Sequence, residues 1–142
     1  MLAHADATHV RRLLAALDPF DVFLHIDART PDDVHREMTR DLPERVRLLS
    51  RRRTGWATWG VVAAELDGYR AVIGETDATH VALLSGSDYP IVPSTRILQV
   101  LDEEPLRSYL WYRRLPDRRQ VQRVRRRRGV GGRRGDRRQG AE

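Results

Sequence analysis

The chain has 142 residues, which suffices for one domain with a buried core. It contains no cysteine, which excludes disulfides and thiolate metal sites, and no lysine, so that every basic side chain is an arginine. The formal charge of +6 is unevenly spread: residues 113–142 hold 13 arginines against three carboxylates, which leaves a net charge of −4 on residues 1–112.

The first half of the chain alternates between short apolar runs and helical patterns. "MLAH" (1–4) is typical of the end of a strand, and "THVRRLLAAL" (8–17) has apolar residues at helical spacing behind a predicted Thr8 cap. "DVFLHID" (21–27) is typical of a buried strand. "TPDDVHREMTR" (30–40) has Thr30 as a predicted cap, a proline at the first helical position and two acids in the first turn, which together predict a helix.

The second half continues the alternation. Apolar residues at 3.6-residue spacing predict a helix from about Thr58 to Gly74, and Ser94 or Thr95 is the predicted cap of a further helix. The remaining predictions are a strand at "ERVRLLS" (44–50), a loop at 51–60, a strand at "THVALLS" (79–85), irregular chain at 85–93, a helix at "STRILQVLDEE" (94–104) and a strand at "LRSYLWY" (106–112).

Strands that alternate with helices predict a mainly parallel sheet with helices on its faces. Ligands of such sheets bind outside the carboxyl ends of the strands. Here those ends carry His4, residues 25–27, Ser50 and residues 85–88. This edge is therefore the predicted binding site.

Asp27 and two histidines are the titratable candidates at this edge. A carboxylate after a buried strand can accept hydrogen bonds from a sugar or a base, but Asp27 could equally cap the turn before the next helix. For His4 and His25 we favour hydrogen-bonded histidines over a metal pair. The other histidines, His9, His35 and His80, are expected to be surface or capping residues.

Two tryptophans precede Gly60 at the predicted helix entrance. Indole rings can stack on a base or a sugar, and Gly60 would permit a close approach of the backbone. For Trp56 we favour the interpretation of a core anchor. The sequence has neither a phosphate-binding glycine loop nor an Asp-x-Asp pair, and the surroundings of Ser85 and Ser87 do not fit a hydrolase nucleophile.

Three segments in this order carry a family resemblance: "HIDAR" (25–29), "WATWGVVAAEL" (56–66) and "THVALLSGSDYPI" (79–91). They resemble the core-2/I-branching β-1,6-N-acetylglucosaminyltransferases, a family that includes the peptide O-xylosyltransferases. The resemblance covers about residues 2–110, the N-terminal part of that family's catalytic domain.

The resemblance implies a GT-A-like, Rossmann-type α/β fold with a mainly parallel sheet, flanking helices and an incomplete domain. It implies inverting, metal-independent transfer of GlcNAc or xylose from UDP-GlcNAc or UDP-xylose to a hydroxyl of a glycan or protein acceptor, without a cofactor. By position, Asp27, Arg29 and Trp59 match donor-site residues. Four further positions match a loop that borders the cleft: Gly86, Asp88, Tyr89 and Pro90. For Asp88 a role in tying down the turn is an equal alternative.

Such a transfer needs a general base for the acceptor hydroxyl and cations for the departing diphosphate. The resemblance implies that both come from the second half of the family's domain. Glu65, Glu103 and Glu104 do not match the position of the family's base. The sequence is therefore expected to be a truncated, inactive copy of a transferase that retains its nucleotide side.

Residues 113–142 form the second predicted region, after a partial transferase domain at 1–112. This Arg/Gly-rich segment has almost no apolar content, which predicts disorder. It could bind nucleic acid or anionic lipid, or be a solvated charge run, but we favour a change of reading frame near residue 115.

Two alternative functions stay open: a small nucleic-acid-binding protein that acts through this tail, and a noncatalytic interaction module with an open sheet edge. The expected location is cytoplasmic or peripheral to a membrane, because no run approaches the roughly 20 apolar residues of a membrane helix. The family's eukaryotic members are membrane proteins of the Golgi and the endoplasmic reticulum. Oligomeric state is not predicted.

Overall fold

A computed structural model describes residues 1–110, and Met1–Arg107 form one compact unit. The predicted tail at 113–142 and the last two residues of the predicted strand at 106–112 lie outside the described residues. The elements are, in chain order, β1 (Leu2–Ala3), α1 (Ala7–Ala16), β2 (Val22–Ile26), α2 (Asp32–Thr39), β3 (Val46–Leu48), α3 (Trp59–Glu75) and α4 (Ser94–Glu103).

Three strands of the described chain form a parallel sheet in the order β1-β2-β3. Leu2 lies opposite His25, and Val22 lies opposite Val46. All five residues of β2 are buried, as a continuous apolar run on a central parallel strand requires. Because the strands are parallel, their carboxyl ends lie at one edge of the sheet.

Helices cover both faces of β2. Leu24 and Ile26 join a core with Leu13 of α1 and Met38 of α2. Successive side chains of a strand point to opposite faces, so His25 faces the other side, where α3 packs against β2. This is a small α/β fold with a parallel sheet, compatible with an incomplete Rossmann-like domain.

The predicted caps of α1 and α4 are wrong. Asp6 rather than Thr8 caps α1, with its carboxylate accepting the N–H of the third helical residue at 2.9 Å. Pro93 occupies the cap position of α4, so neither Ser94 nor Thr95 caps it. The hydroxyl of Ser94 instead donates to the last carbonyl of α1 at 2.8 Å, which fastens α4 to α1.

The segment predicted as a strand at 79–85 runs parallel to β1, as a parallel sheet requires, but it is not a strand. The N–H of Leu2 donates to the carbonyl of Leu84 at 2.9 Å, and the N–H of Gly86 donates to the carbonyl of Leu2 at 2.7 Å. These bonds form one parallel bridge between Leu2 and Ser85. A longer ladder does not form because β1 has only two residues. Residues 107–110 of the other missing strand are also irregular.

Helix α3 leaves a row of apolar side chains open to solvent. Ala64 is its one buried residue. The exposed row follows helical spacing and consists of Val62, Leu66, Tyr69 and Ile73. Among the described residues, no helix combines the length and the apolar character needed to cross a membrane.

Candidate functional site

Asp27 lies at the end of β2, and its side chain is only 3 % exposed. Its carboxylate accepts five hydrogen bonds. Arg29 gives three of them, from its backbone N–H at 2.7 Å and its guanidinium Nε and Nη2 at 3.1 and 3.0 Å. Thr54 gives the other two, from its backbone N–H at 2.9 Å and from its hydroxyl. The carboxylate therefore joins the end of β2 to the loop that follows β3.

These donors keep Asp27 ionised. Burial by itself would raise the pKa of the carboxyl, but the hydrogen bonds from Thr54 and Arg29 outweigh burial and hold the pKa well below its usual value. The same edge is tied by Arg51, whose Nη2 donates to the carbonyls of Asp27 at 3.1 Å and Thr30 at 2.9 Å. A buried anion is thus compensated by donors from two loops.

Thr30 belongs to this network and does not cap α2. Pro31 occupies the cap position of that helix. The hydroxyl of Thr30 donates to the carbonyl of His4 at 3.0 Å and so links the loop after β2 to the end of β1. Asp32 and Asp33 lie in the first turn of α2, as predicted.

His25 is a buried, hydrogen-bonded histidine, as predicted. It is 1 % exposed, and its Nε2 accepts the backbone N–H of Arg52 at 2.9 Å. Burial lowers the pKa of His25, which favours the neutral ring that this bond requires. His4 is exposed at the end of β1. Residues 1–110 contain no group of three or more His, Cys, Asp or Glu side chains that could hold a metal.

The loop at 51–60 is fixed beyond its bonds to Asp27. The backbone N–H and hydroxyl of Thr58 donate to the carbonyl of Gly55 at 3.0 and 2.7 Å, which closes a tight turn. Ala57 in this turn is left-handed, with φ of 58°. A Cβ on Gly60 would lie 2.2 Å from the carbonyl oxygen of Arg53, so a side chain at this position would force the backbone to move.

Both tryptophans of this loop are exposed. Trp59, the first residue of α3, is 72 % exposed, which leaves its indole accessible to a ligand. Trp56 is 96 % exposed, so its interpretation as a core anchor is wrong. The reason is the turn at 55–58, which carries Trp56 out of the packed layers. The sequence pattern, an indole at a predicted helix entrance, does not indicate such a turn.

The loop at 85–90 is built around Asp88. Its carboxylate accepts the N–H of Ser85 at 2.7 Å, and its own N–H donates to the Ser85 carbonyl at 3.1 Å. This geometry matches the turn-forming alternative for Asp88. A Cβ on Gly86 would lie 3.0 Å from the Cβ and 3.1 Å from the Cα of Ala3, because the loop crosses β1 closely.

The same loop is docked on α1 through a contact that the sequence did not predict. Nε2 of His9 lies 3.1 Å from the carbonyl oxygen of Asp88. The ring of Tyr89 lies 5.9 Å from the His9 ring, and the guanidinium carbon of Arg12 lies 5.6 Å from the centre of the Tyr89 ring. Tyr89 and Pro90 also line an open groove with the end of α1.

The candidate residues thus form two groups that flank β1. Asp27 and Arg29 are in direct contact, and Trp59 follows the loop that Thr54 holds to Asp27. The second group runs from Gly86 to Pro90. The N–H of Asp27 donates to Ala3 at 2.9 Å and that of Gly86 to Leu2 at 2.7 Å, so both groups begin at the same strand.

A comparison with protein families identifies the chain. The model of the Core-2/I-Branching enzyme family matches residues 1–128. The chain belongs to the core-2/I-branching enzyme family. This confirms the family resemblance, and the match continues beyond residue 110, the expected end of the resemblance. Neither a curated protein nor a solved structure matches the chain.

The family is one of glycosyltransferases, so its general chemistry is transfer of a sugar from a donor to an acceptor. Membership does not distinguish the xylosyltransferase branch from the others. Thr54, Arg51 and His9 contact the candidate residues Asp27 and Asp88 but are not among the residues that the sequence predicted. Each acts through a contact with a distant part of the chain, which no local motif reveals.

Proposed function

We propose that the carboxyl edge of the sheet binds the UDP moiety of UDP-GlcNAc or UDP-xylose, as the donor site of a GT-A-like, inverting, metal-independent glycosyltransferase. The observation that carries the proposal is the network of Asp27, Arg29 and Thr54. It holds one arginine and one tryptophan-bearing loop at the strand ends, where ligands of parallel α/β sheets bind.

Arg29 is suited to meet an anionic or carbonyl-rich ligand. A guanidinium has five N–H donors, and Asp27 takes up one from Nε and one from Nη2. The side chain is 55 % exposed, so a ligand can reach the guanidinium. Because the ion pair with Asp27 fixes the orientation of Arg29, less conformational entropy is lost when a uracil carbonyl or a phosphate oxygen binds.

Trp59 supplies the apolar surface of the proposed site. Its exposed indole offers a face on which the base or the ribose can stack. The proposed role of Asp27 is to orient Arg29 and the loop, because its buried carboxylate already accepts five hydrogen bonds and has no lone pair left for the uridine. Gly86, Asp88, Tyr89 and Pro90 form the border of the cleft on the other side of β1.

In the proposed reaction the acceptor hydroxyl attacks the anomeric carbon while the bond from that carbon to the UDP oxygen breaks. The hydroxyl proton passes to a general base, and the negative charge develops on the departing diphosphate. The sequence has no Asp-x-Asp pair to hold a cation there, so arginines are the proposed counter-charges. We propose that this chain lacks the base, since Glu65, Glu103 and Glu104 do not match its family position.

Isothermal calorimetry with the full chain tests the donor site. UDP is expected to bind, and ADP is expected to bind more weakly because its base has a different hydrogen-bonding edge. Trp59→Ala should weaken UDP binding by roughly tenfold without changing the melting temperature, since Trp59 is exposed. Absence of UDP binding to folded protein would refute the donor site.

A second assay tests the position of the base. Incubation of the full chain with UDP-GlcNAc or UDP-xylose and acceptor glycans is expected to give binding without release of UDP. Measurable transfer or hydrolysis would place a working base within this chain and would overturn that part of the proposal.

A further inference from the structure

Trp56 is the most exposed aromatic side chain on the carboxyl edge. It exposes 96 % of its surface, whereas its neighbour in the loop, Trp59, exposes 72 %. A fully exposed indole is unfavourable, because the protein lacks the free energy that burial of this apolar surface would contribute. Trp56 does not pack in the core, and it is not among the residues proposed to contact the donor.

The turn that carries Trp56 is rigidly built. Thr54, two residues earlier, is bonded to Asp27 by its N–H and its hydroxyl. Gly55 and Thr58 close the turn on both sides of Trp56, since Thr58 donates to the Gly55 carbonyl and its hydroxyl accepts the Gly55 N–H at 3.1 Å.

The backbone of this turn also has an unfavourable conformation at one residue. Ala57 has φ of 58°, a left-handed conformation that residues with a Cβ rarely adopt. Such conformations concentrate where the surrounding structure fixes a functional side chain in place. Hydrogen bonds and an unfavourable backbone conformation therefore hold the indole of Trp56 in solvent.

A pyranose ring is the ligand that suits this feature. One face of such a ring presents C–H groups that pack on an aromatic plane, while its hydroxyls stay hydrated at the rim; an isolated indole on a fixed loop supplies that plane. Trp56 and Trp59 are three residues apart, so their Cα atoms lie within about 11 Å of each other, a span of one or two sugar units. A sugar on Trp56 would thus lie beside a donor held at Trp59.

We propose that Trp56 is a stacking platform for a pyranose ring of the acceptor glycan. The choice of a sugar as the occupant rests on the proposed function. The choice of acceptor over donor rests on the place of Trp56 within the turn at 55–58, outside α3, whereas Trp59, at which the donor is proposed to stack, is the first residue of that helix.

Saturation-transfer NMR with the full chain and methyl β-galactopyranoside tests the platform. This probe has a continuous C–H face, and glycerol, which has hydroxyls but no ring, is the control ligand. Trp56→Phe keeps an aromatic face and Trp56→Ala removes it. Because Trp56 is almost fully exposed, both variants should retain the wild-type melting temperature.

The expected result is saturation of the ring C–H protons by wild type and Trp56→Phe, an affinity roughly three- to tenfold weaker in Trp56→Ala, and no signal from glycerol. UDP affinity should be the same in all three proteins. Equal pyranoside signals from wild type and Trp56→Ala, or none from wild type, would overturn the platform. Loss of UDP binding in Trp56→Ala would also overturn it, by assigning Trp56 to the donor.

Two outcomes separate this inference from the proposed function. If the pyranoside binds through Trp56 but UDP does not bind, the donor site fails and the carbohydrate platform stands. If UDP binds normally while Trp56 is shielded from the quencher acrylamide in the full chain, the indole is covered by protein and the platform falls. The shielding is measured in the Trp59→Phe, Trp111→Phe double variant, in which Trp56 is the one remaining tryptophan.

Discussion

Large apolar side chains are buried in the layers around β2, whereas several in the segment from α3 to Leu110 are exposed. Leu24, Ile26 and Met38 in the first region are at most 1 % exposed. Ile73, Ile91 and Leu106 in the second are 78 % exposed or more. The residue types are alike, so the difference lies in their partners: β2 has a strand on each side and helices on both faces. Asp27 and Arg29 follow β2 directly and belong to the first region, whereas Trp59 is the first residue of α3.

Truncation of one apolar side chain in each region tests this difference in burial most directly. Leu24→Ala should lower the free energy of unfolding by about 3 kcal/mol, because it removes a fully buried side chain and leaves a cavity. Ile73→Ala should change it by less than about 0.5 kcal/mol. Urea denaturation of the full chain measures both. Similar losses for the two variants would show that α3 is covered in solution.

The loop between these regions is expected to depend on one glycine. Gly60→Ala places a Cβ against the carbonyl oxygen of Arg53 and should cost about 2 kcal/mol, since backbone must move. Gly74→Ala is the matched control on the same helix: nothing lies within 4 Å of its Cβ. It should stabilise the protein by roughly 0.5–1 kcal/mol. Equal effects of the two substitutions on the melting temperature would contradict the close approach of the Arg53 carbonyl to Gly60.

Asp27→Asn tests the bond between the end of β2 and that loop. An amide nitrogen would face the donors of Thr54 or Arg29, so we expect a loss of about 2 kcal/mol at pH 7. Because the folded-state pKa of Asp27 is depressed, its contribution is fully present above the unfolded pKa of roughly 4 and is lost as the pH falls below it.

The difference between wild type and Asp27→Asn should therefore shrink in acid. Asp18→Asn is the control, because Asp18 pairs with Arg45 from a carboxylate that is 71 % exposed. That substitution should cost less than about 0.5 kcal/mol. A difference that is constant down to pH 2 would contradict the assignment of the carboxylate as the buried anion of the network.

His25 gives the smallest expected effect. Burial lowers its pKa, so the unfolded chain binds the proton first as the pH falls below roughly 6.5. Stability is then lost with falling pH, by at most roughly 1.4 kcal/mol per pH unit. The charged groups that act on His25 are Asp27 and Asp67, which favour its protonated form, and the N-terminal amine and Arg52, which oppose it.

Melting curves between pH 5 and 7 measure this slope. His25→Gln should flatten it, whereas His4→Gln, at an exposed position, should leave it unchanged. If His25→Gln kept the wild-type slope, proton binding at His25 would not be linked to folding.

The sequence predicts the elements that depend on local pattern. β2, α2 and α3 follow from apolar runs and helical spacing, and the site is expected at the strand ends because parallel sheets place it there. Asp27 is a candidate for the same reason. These features needed only the order of the residues along one element.

Features that depend on distant partners could not be predicted in this way. Thr54 reaches Asp27 across 27 residues, and His9 reaches Asp88 across 79. The strand at 79–85 is reduced to a bridge because its neighbour β1 is short, and the exposure of Trp56 depends on a left-handed turn. Local apolar pattern carries no information on either.

The location of the donor site is tested most directly by one titration. A two-dimensional ¹H–¹⁵N NMR spectrum of the full chain is recorded with increasing UDP. If UDP binds at the carboxyl edge of β2, the indole N–H of Trp59 and the backbone amides of Arg29 and Thr54 shift, and the amide of Met38, which is buried in the core, does not. Shifts confined to other parts of the chain, or no shifts at saturating UDP, would contradict a nucleotide site at the carboxyl edge of β2.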